Sequence, residues 1–72
     1  MLRNKVVSSN IQSIGYDEKT KVLEVEFYNQ KVFQYTPIAP EGYQLLLSAE
    51  SIGSFFNQHI KNNPQVTCTQ VL

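Results

Sequence analysis

Chemistry in this 72-residue chain would have to come from very few side chains. There is one histidine, His59, and one cysteine, Cys68, which could in principle form a pair in which the imidazole takes the thiol proton and the thiolate attacks. Nothing in the sequence places the two together, and no carboxylate stands at helical spacing from His59 to orient its ring. His59 therefore reads as a half-buried structural histidine and the chain as a protein that is not an enzyme. A metal site would want more than one His and one Cys, so neither metal nor other cofactor is expected.

Binding chemistry is better supplied. Phe33, Tyr35, Tyr16 and Tyr28 could stack nucleobases from a sheet face, with Lys31, Lys61, Arg3 and Lys5 as the available cations. The competing reading places most of these rings in the core of a small domain. There is no ribonucleoprotein motif, and Glu24 and Glu26 would repel phosphates if they shared the aromatic face. Ser9, Asn10, Asn57 and His59 could also converge as a polar pocket for a nucleotide or a peptide end. Alternatively, Ser8-Ser9-Asn10 is a turn that pairs main-chain groups at the start of the sheet, with Asn57 capping a helix or tying it to that turn.

The bulk properties narrow the partners. A chain this short is one domain, residues 1–72, with a compact core drawn from its 42% hydrophobic residues. Net charge is zero and the pI is about 6.5, so no global field gathers polyanions, and self-association is permitted. The single cysteine allows no internal disulfide, which favours a reducing cytoplasm. No apolar run approaches membrane-spanning length, and Met1 to Ser9 contains no apolar signal-peptide region, so no membrane contact is expected.

The elements that must position these residues follow from periodicity. Residues 1–8 carry Arg3 and Lys5 before Val6-Val7 and are left unassigned between a frayed end and a short edge strand. A first strand over Asn10 to Tyr16, imperfectly alternating, ends at the polar turn Asp17-Glu18-Lys19. Val22 to Phe27 alternates strictly, with Leu23, Val25 and Phe27 on a dry face and Glu24 and Glu26 on a wet one. Phe33 and Tyr35 lie on a third strand that Pro37 ends. A three-residue loop, Tyr28-Asn29-Gln30, would set Val25 opposite Phe33 and Leu23 opposite Tyr35, so that with Phe27 all five share the core side. A two-residue turn would instead expose both aromatics beside the glutamates, forgoing on the order of 2 kcal/mol of burial for each.

Beyond Pro37, Pro40 suits a first helical turn, and Tyr43, Leu46 and Leu47 share a helix face that Leu45 widens. Ser51 reads as the N-cap of a second helix carrying Ile52, Phe55, Phe56, His59 and Ile60, which Asn62-Asn63-Pro64 stops. Gln65 to Val71 returns as a final strand, with Val66 and Cys68 on one side and Thr67 and Thr69 on the other. The expectation is an α+β domain of β-β-β-α-α-β order, a small antiparallel meander with two short helices packed on one face and a C-terminal strand.

The segments Ser8-Ser9-Asn10-Ile11, Ser13-Ile14-Gly15-Tyr16-Asp17, Leu23-Glu24-Val25-Glu26-Phe27, Phe33-Gln34-Tyr35 and Ser51-x-Gly53-x-Phe55-Phe56-Asn57-x-His59-Ile60 resemble, in that order, the KTSC domain. The resemblance spans about residues 6 to 62. It implies a family of unknown function, found as single-domain bacterial proteins and as a C-terminal extension of some lysyl-tRNA synthetases, where that context suggests RNA binding. The family's central Tyr-x-Tyr falls on Phe33-Gln34-Tyr35, so a hydroxyl is missing at 33. Basic residues common on either side of Gly53 are replaced by Ile52 and Ser54. If those cations met phosphates, each loss lowers the salt slope of binding by nearly one unit. The resemblance implies a non-catalytic binding module for RNA or a tRNA-associated assembly, with Phe33, Tyr35, Tyr16, Lys31, Asn57, His59 and Lys61 as candidate contacts. The alternative is a module that binds another protein or itself through an uncovered sheet face or edge.

Overall fold

The computed structural model describes all residues from Met1 to Leu72. Five antiparallel strands follow one another across a single sheet: β1 (Asn4–Lys5), β2 (Ile11–Asp17), β3 (Val22–Phe27), β4 (Val32–Thr36) and β5 (Thr67–Gln70). Between β4 and β5 the chain makes α1 (Pro40–Ser48) and α2 (Ile52–Phe56), and α2 runs on into a wider π-helical turn over Asn57–Lys61. The order is β-β-β-β-α-α-β. It is the expected fold with one strand added, the two-residue β1 in the segment left unassigned, which pairs Asn4 with Ile14 and Lys5 with Ser13. No helix is long and apolar enough to cross a membrane.

Both hairpins are closed by the same local chemistry. In the β3–β4 loop, Gln30 adopts a positive φ of 69° and donates its N–H to Phe27 at 2.9 Å, while Phe27 donates to Lys31 at 3.0 Å. Asn29 Oδ1 accepts the Lys31 N–H at 3.0 Å, which holds the turn against the cost of a left-handed non-glycine residue, about 1 kcal/mol. The loop is therefore Tyr28-Asn29-Gln30, and Leu23 faces Tyr35 as Val25 faces Phe33. In the β2–β3 loop, Asp17 Oδ1 accepts from Lys19 at 3.0 Å and Lys21 takes the positive φ of 57°.

The imperfect alternation of the first strand is a bulge. The pairing shifts between Ile11 and Ser13, so Ile11 and Ile14, three apart in sequence, are both fully buried. They join Leu23, Val25 and Tyr35 under Ile38, Leu46, Phe56 and Ile60 in one core. Phe56 is its centre, edge-on to Tyr35 at 5.0 Å and to Phe27 at 5.8 Å. Ser51 caps α2 as expected, accepting the Ser54 N–H at 3.2 Å. Leu45 and Leu47, however, are exposed rather than part of a broad apolar stripe. They stand about 100° to either side of Leu46, and a nine-residue helix on an open sheet buries only the line of Tyr43 and Leu46.

The glutamate face is not wet either. The N-terminal arm crosses it at Gly15, where a Cβ would lie 2.7 Å from the Leu2 carbonyl oxygen, a backbone approach that only glycine permits. Arg3 then reaches Glu24 at 2.6 Å and stands 3.9 Å from Glu26. Gln34 donates to Glu24 at 2.9 Å, and the Ser13 hydroxyl donates to Glu26 at 2.8 Å. Burial by itself would raise the Glu24 pKa, but the Gln34 and Arg3 hydrogen bonds and the Arg3 charge outweigh it and hold the carboxyl below its ordinary value.

A folded-state pKa held below the unfolded one gives stability that is present above the unfolded value, near 4.5, and is lost as pH falls through the folded value. Arg3→Ala is expected to cost about 1–2 kcal/mol at neutral pH, from loss of a charge-assisted bond, and much less at pH 3. Urea unfolding of both proteins at the two pH values measures this. Equal losses at both would show that the pair is not the source.

Candidate functional site

The candidate residues are distributed over four places. Tyr16 is an internal tie: its hydroxyl donates to the Ile38 carbonyl and its ring stacks on Tyr43 at 4.4 Å, joining β2 to the start of α1. Its phenol is pushed up by burial and then by Glu18, Glu41 and Asp17, which suits a permanent donor. Asn57 lines a polar groove of about 260 Å³ with Ser8, Ser9, Asn10, Ser51 and Gly53. Within it the Ser8 hydroxyl donates to Asn10 Oδ1 at 3.1 Å and accepts the Ile11 N–H at 3.3 Å, which is the turn chemistry expected there. The helix meets the turn through Gly53, whose absent Cβ would stand 3.0 Å from Asn10 Oδ1.

His59 does not join that groove. It is exposed and its ring lies tilted against Phe55 at 4.5 Å, lining a separate apolar groove of about 300 Å³ with Ile38, Leu45 and Val66. The half-buried placement expected of it fails because the chain widens after Phe56. In the π-helical turn Ile60 takes the inward position and His59 rotates out. Cys68, exposed and free, lies on β5 against another groove, so thiol and imidazole are not neighbours across one site. No three His, Cys, Asp or Glu side chains come together in metal-binding geometry.

That last groove, about 370 Å³, gathers Phe27, Phe33, Tyr35, Lys61 and Cys68. Three of these share the helix-side face through hairpin parity: Phe27 packs edge-on to Phe33 at 5.8 Å, and Phe33 tilts against Tyr35 at 6.5 Å. Phe27 and Phe33 remain half-buried, while Tyr35 is closed under Phe56. Burial, followed by the Cys68 thiol directly across the ladder, drives the Tyr35 phenol well above the usual tyrosine range, so it stays neutral. Lys31 is exposed opposite Phe27 at the hairpin end, and Lys61 stands on the groove wall. The carboxylates of Glu24 and Glu26 are on the other face of the sheet, bound to Arg3 and its neighbours. Phe27 and Cys68 belong to this surface although sequence alone did not select them. Phe27 reads as core, and the register that brings Cys68 to Tyr35 is formed across about thirty intervening residues.

A five-stranded meander with a helical hairpin laid over one face, and an aromatic groove left open beside the last strand, defines a small α+β domain. The chain belongs to the KTSC domain family, whose model matches residues 7–63. It is 43% identical over 61 residues to an uncharacterized protein of Stutzerimonas stutzeri, covering 85% of this chain and 86% of that one. It is also 35% identical over 57 residues to a lysine–tRNA ligase of Nostoc punctiforme, covering 79% of this chain but 10% of the ligase. Among solved structures, the KTSC domain protein of Yersinia pestis superimposes with a TM-score of 0.91 at 37% identity, over 99% of this chain and 97% of that one.

Tyr16→Phe separates an internal tie from a contact residue. It is expected to cost about 1 kcal/mol, through the Ile38 carbonyl left unpaired, as a lower urea midpoint with an unchanged slope. It should leave binding of any partner unaltered, and a binding loss without a stability loss would reverse that assignment.

Proposed function

We propose that this domain is a non-catalytic binding module that contacts RNA, with tRNA or a tRNA-associated assembly in the cytoplasm as its setting. One observation carries the reading. Phe27 and Phe33 stay half-open on a sheet face where Lys61 lines their groove and exposed Lys31 pairs with Phe27 at the hairpin end, while hairpin parity puts the carboxylates on the opposite face. An open aromatic ring stacks on a base of any identity, and a nearby ammonium meets the adjoining phosphate. The relation to part of a lysine–tRNA ligase supports the same setting. With no net charge and two such cations, contact of this kind is weak and local.

The test is a salt titration of binding to unmodified tRNA. Association should be detectable at about 50 mM salt and fall with salt at a slope near one to two, as expected for two phosphate contacts. Lys61→Ala should lower that slope by about 0.7–0.9, and Phe33→Ala should weaken binding by roughly 5- to 100-fold without changing the slope. Absence of binding at the lowest salt overturns the reading.

A further inference from the structure

We infer that β5 docks a second copy of this chain, by antiparallel β5–β5 pairing about a two-fold axis at Thr69. The two edges of the sheet are unlike. β1 is two residues long, contains Lys5 and follows Arg3, the short and charged form in which an edge resists pairing. β5 runs Thr67–Gln70 with every residue exposed, and residues 64–72 contain no charged side chain. Irregularity comes only beyond it, where the Val71 and Leu72 N–H groups both donate to the Val32 carbonyl, at 2.8 and 3.2 Å.

That arrangement fixes which main-chain groups are free. Antiparallel ladders alternate, so counting back from Val71, Thr69 and Thr67 turn their N–H and C=O groups toward β4. Cys68 and Gln70 turn theirs outward. Two outward residues spaced two apart are complementary to themselves. With the axis at Thr69, Cys68 of one copy meets Gln70 of the other on both sides, forming four main-chain hydrogen bonds, and Thr69 faces its own image as a favourable Thr–Thr pair.

The occupant is a second copy on grounds of charge and closure. A neutral strand on a protein of zero net charge meets its twin without repulsion, either local or long-range. A β1–β1 contact would oppose Lys5 and Arg3 to themselves, and a β1–β5 contact would run head to tail without closing. On the helix side, Cys68 lines the groove of Phe27 and Phe33, so pairing brings two half-open aromatic patches together. Val71, 46% exposed, and Leu72, 74% exposed, follow directly on the strand and add apolar surface at its end. A four-residue edge is short for an interface, so the dimer is a weak one. It rests on the edge alone and does not depend on RNA binding.

The experiment is sedimentation of the full chain over roughly 10 μM to 1 mM, a range suited to weak association. The mass should rise from 8.2 kDa toward about twice that value. Thr69→Lys sets two ammonium groups against each other on the axis, and should raise the dimerisation midpoint by about tenfold or more while circular dichroism shows an intact fold. Gln70→Pro removes an outward N–H without touching a bond to β4, and should act likewise. In a Cys68→Ser background, Thr69→Cys should lock the dimer on oxidation, because Cα atoms facing each other between hydrogen-bonded pairs stand about 4.5 Å apart, within disulfide reach. A constant 8.2 kDa to the highest concentration overturns the proposal. So does a dimer that a folded Thr69→Lys leaves unchanged, and a dimer that Thr69→Cys fails to lock overturns the axis.

Discussion

Gln30 at positive φ closes three residues, not two, between Phe27 and Lys31, and from that parity much of the domain follows. A strand places successive side chains on opposite faces, so an odd loop makes Leu23, Val25, Phe27, Phe33 and Tyr35 share one side. Only then is there a continuous apolar surface for Phe56, Leu46 and Ile60 to cover. The strain of a left-handed glutamine is small against the burial it secures, since each large side chain taken from water contributes about 2 kcal/mol.

The same parity gathers Glu24 and Glu26 on the opposite face, where they would be exposed on a bare sheet. Gly15 lets the N-terminal arm lie close to the backbone there, and Arg3 neutralises what the alternation collects. Core and polar face are thus two results of one register. A shift by one residue between β3 and β4 would turn Phe33 and Tyr35 out beside the carboxylates and carry Gln34, which bonds Glu24, under the helices.

Segregation of charge also shapes the surfaces. The aromatic groove beside β5 is lined by no carboxylate, and its one lining cation is Lys61 at the end of the π-helical turn, with Lys31 paired to Phe27 at the hairpin end. The uncharged β5 borders that groove, so base stacking and strand addition would use adjoining parts of one side of the molecule. The polar groove around Gly53 and the apolar groove beside His59 are separate from it, and each is accounted for locally by a turn meeting a helix and by the divergence of two short helices.

Local pattern determined β2 to β5, both helices and the Ser51 cap, and it narrowed the hairpin to two registers of which the odd loop buries more, because period, capping chemistry and burial all act over a few residues. It also carried the family resemblance, since those motifs are contiguous. Tertiary structure alone decided what happens between segments that local rules do not connect. The arm over Gly15, the Gln12 bulge that reconciles Ile11 with Ile14, the outward turn of His59 and the register of Cys68 against Tyr35 are all set by packing across the sheet. Residue types supplied the candidate contacts, but packing closed Tyr35 in the core, tied half-buried Tyr16 to the Ile38 carbonyl, set His59 and Asn57 on separate grooves, and put Phe33 with Lys61 on one open surface. Alternation decides which side of a strand a residue occupies, and only what covers that side decides whether the residue can be reached.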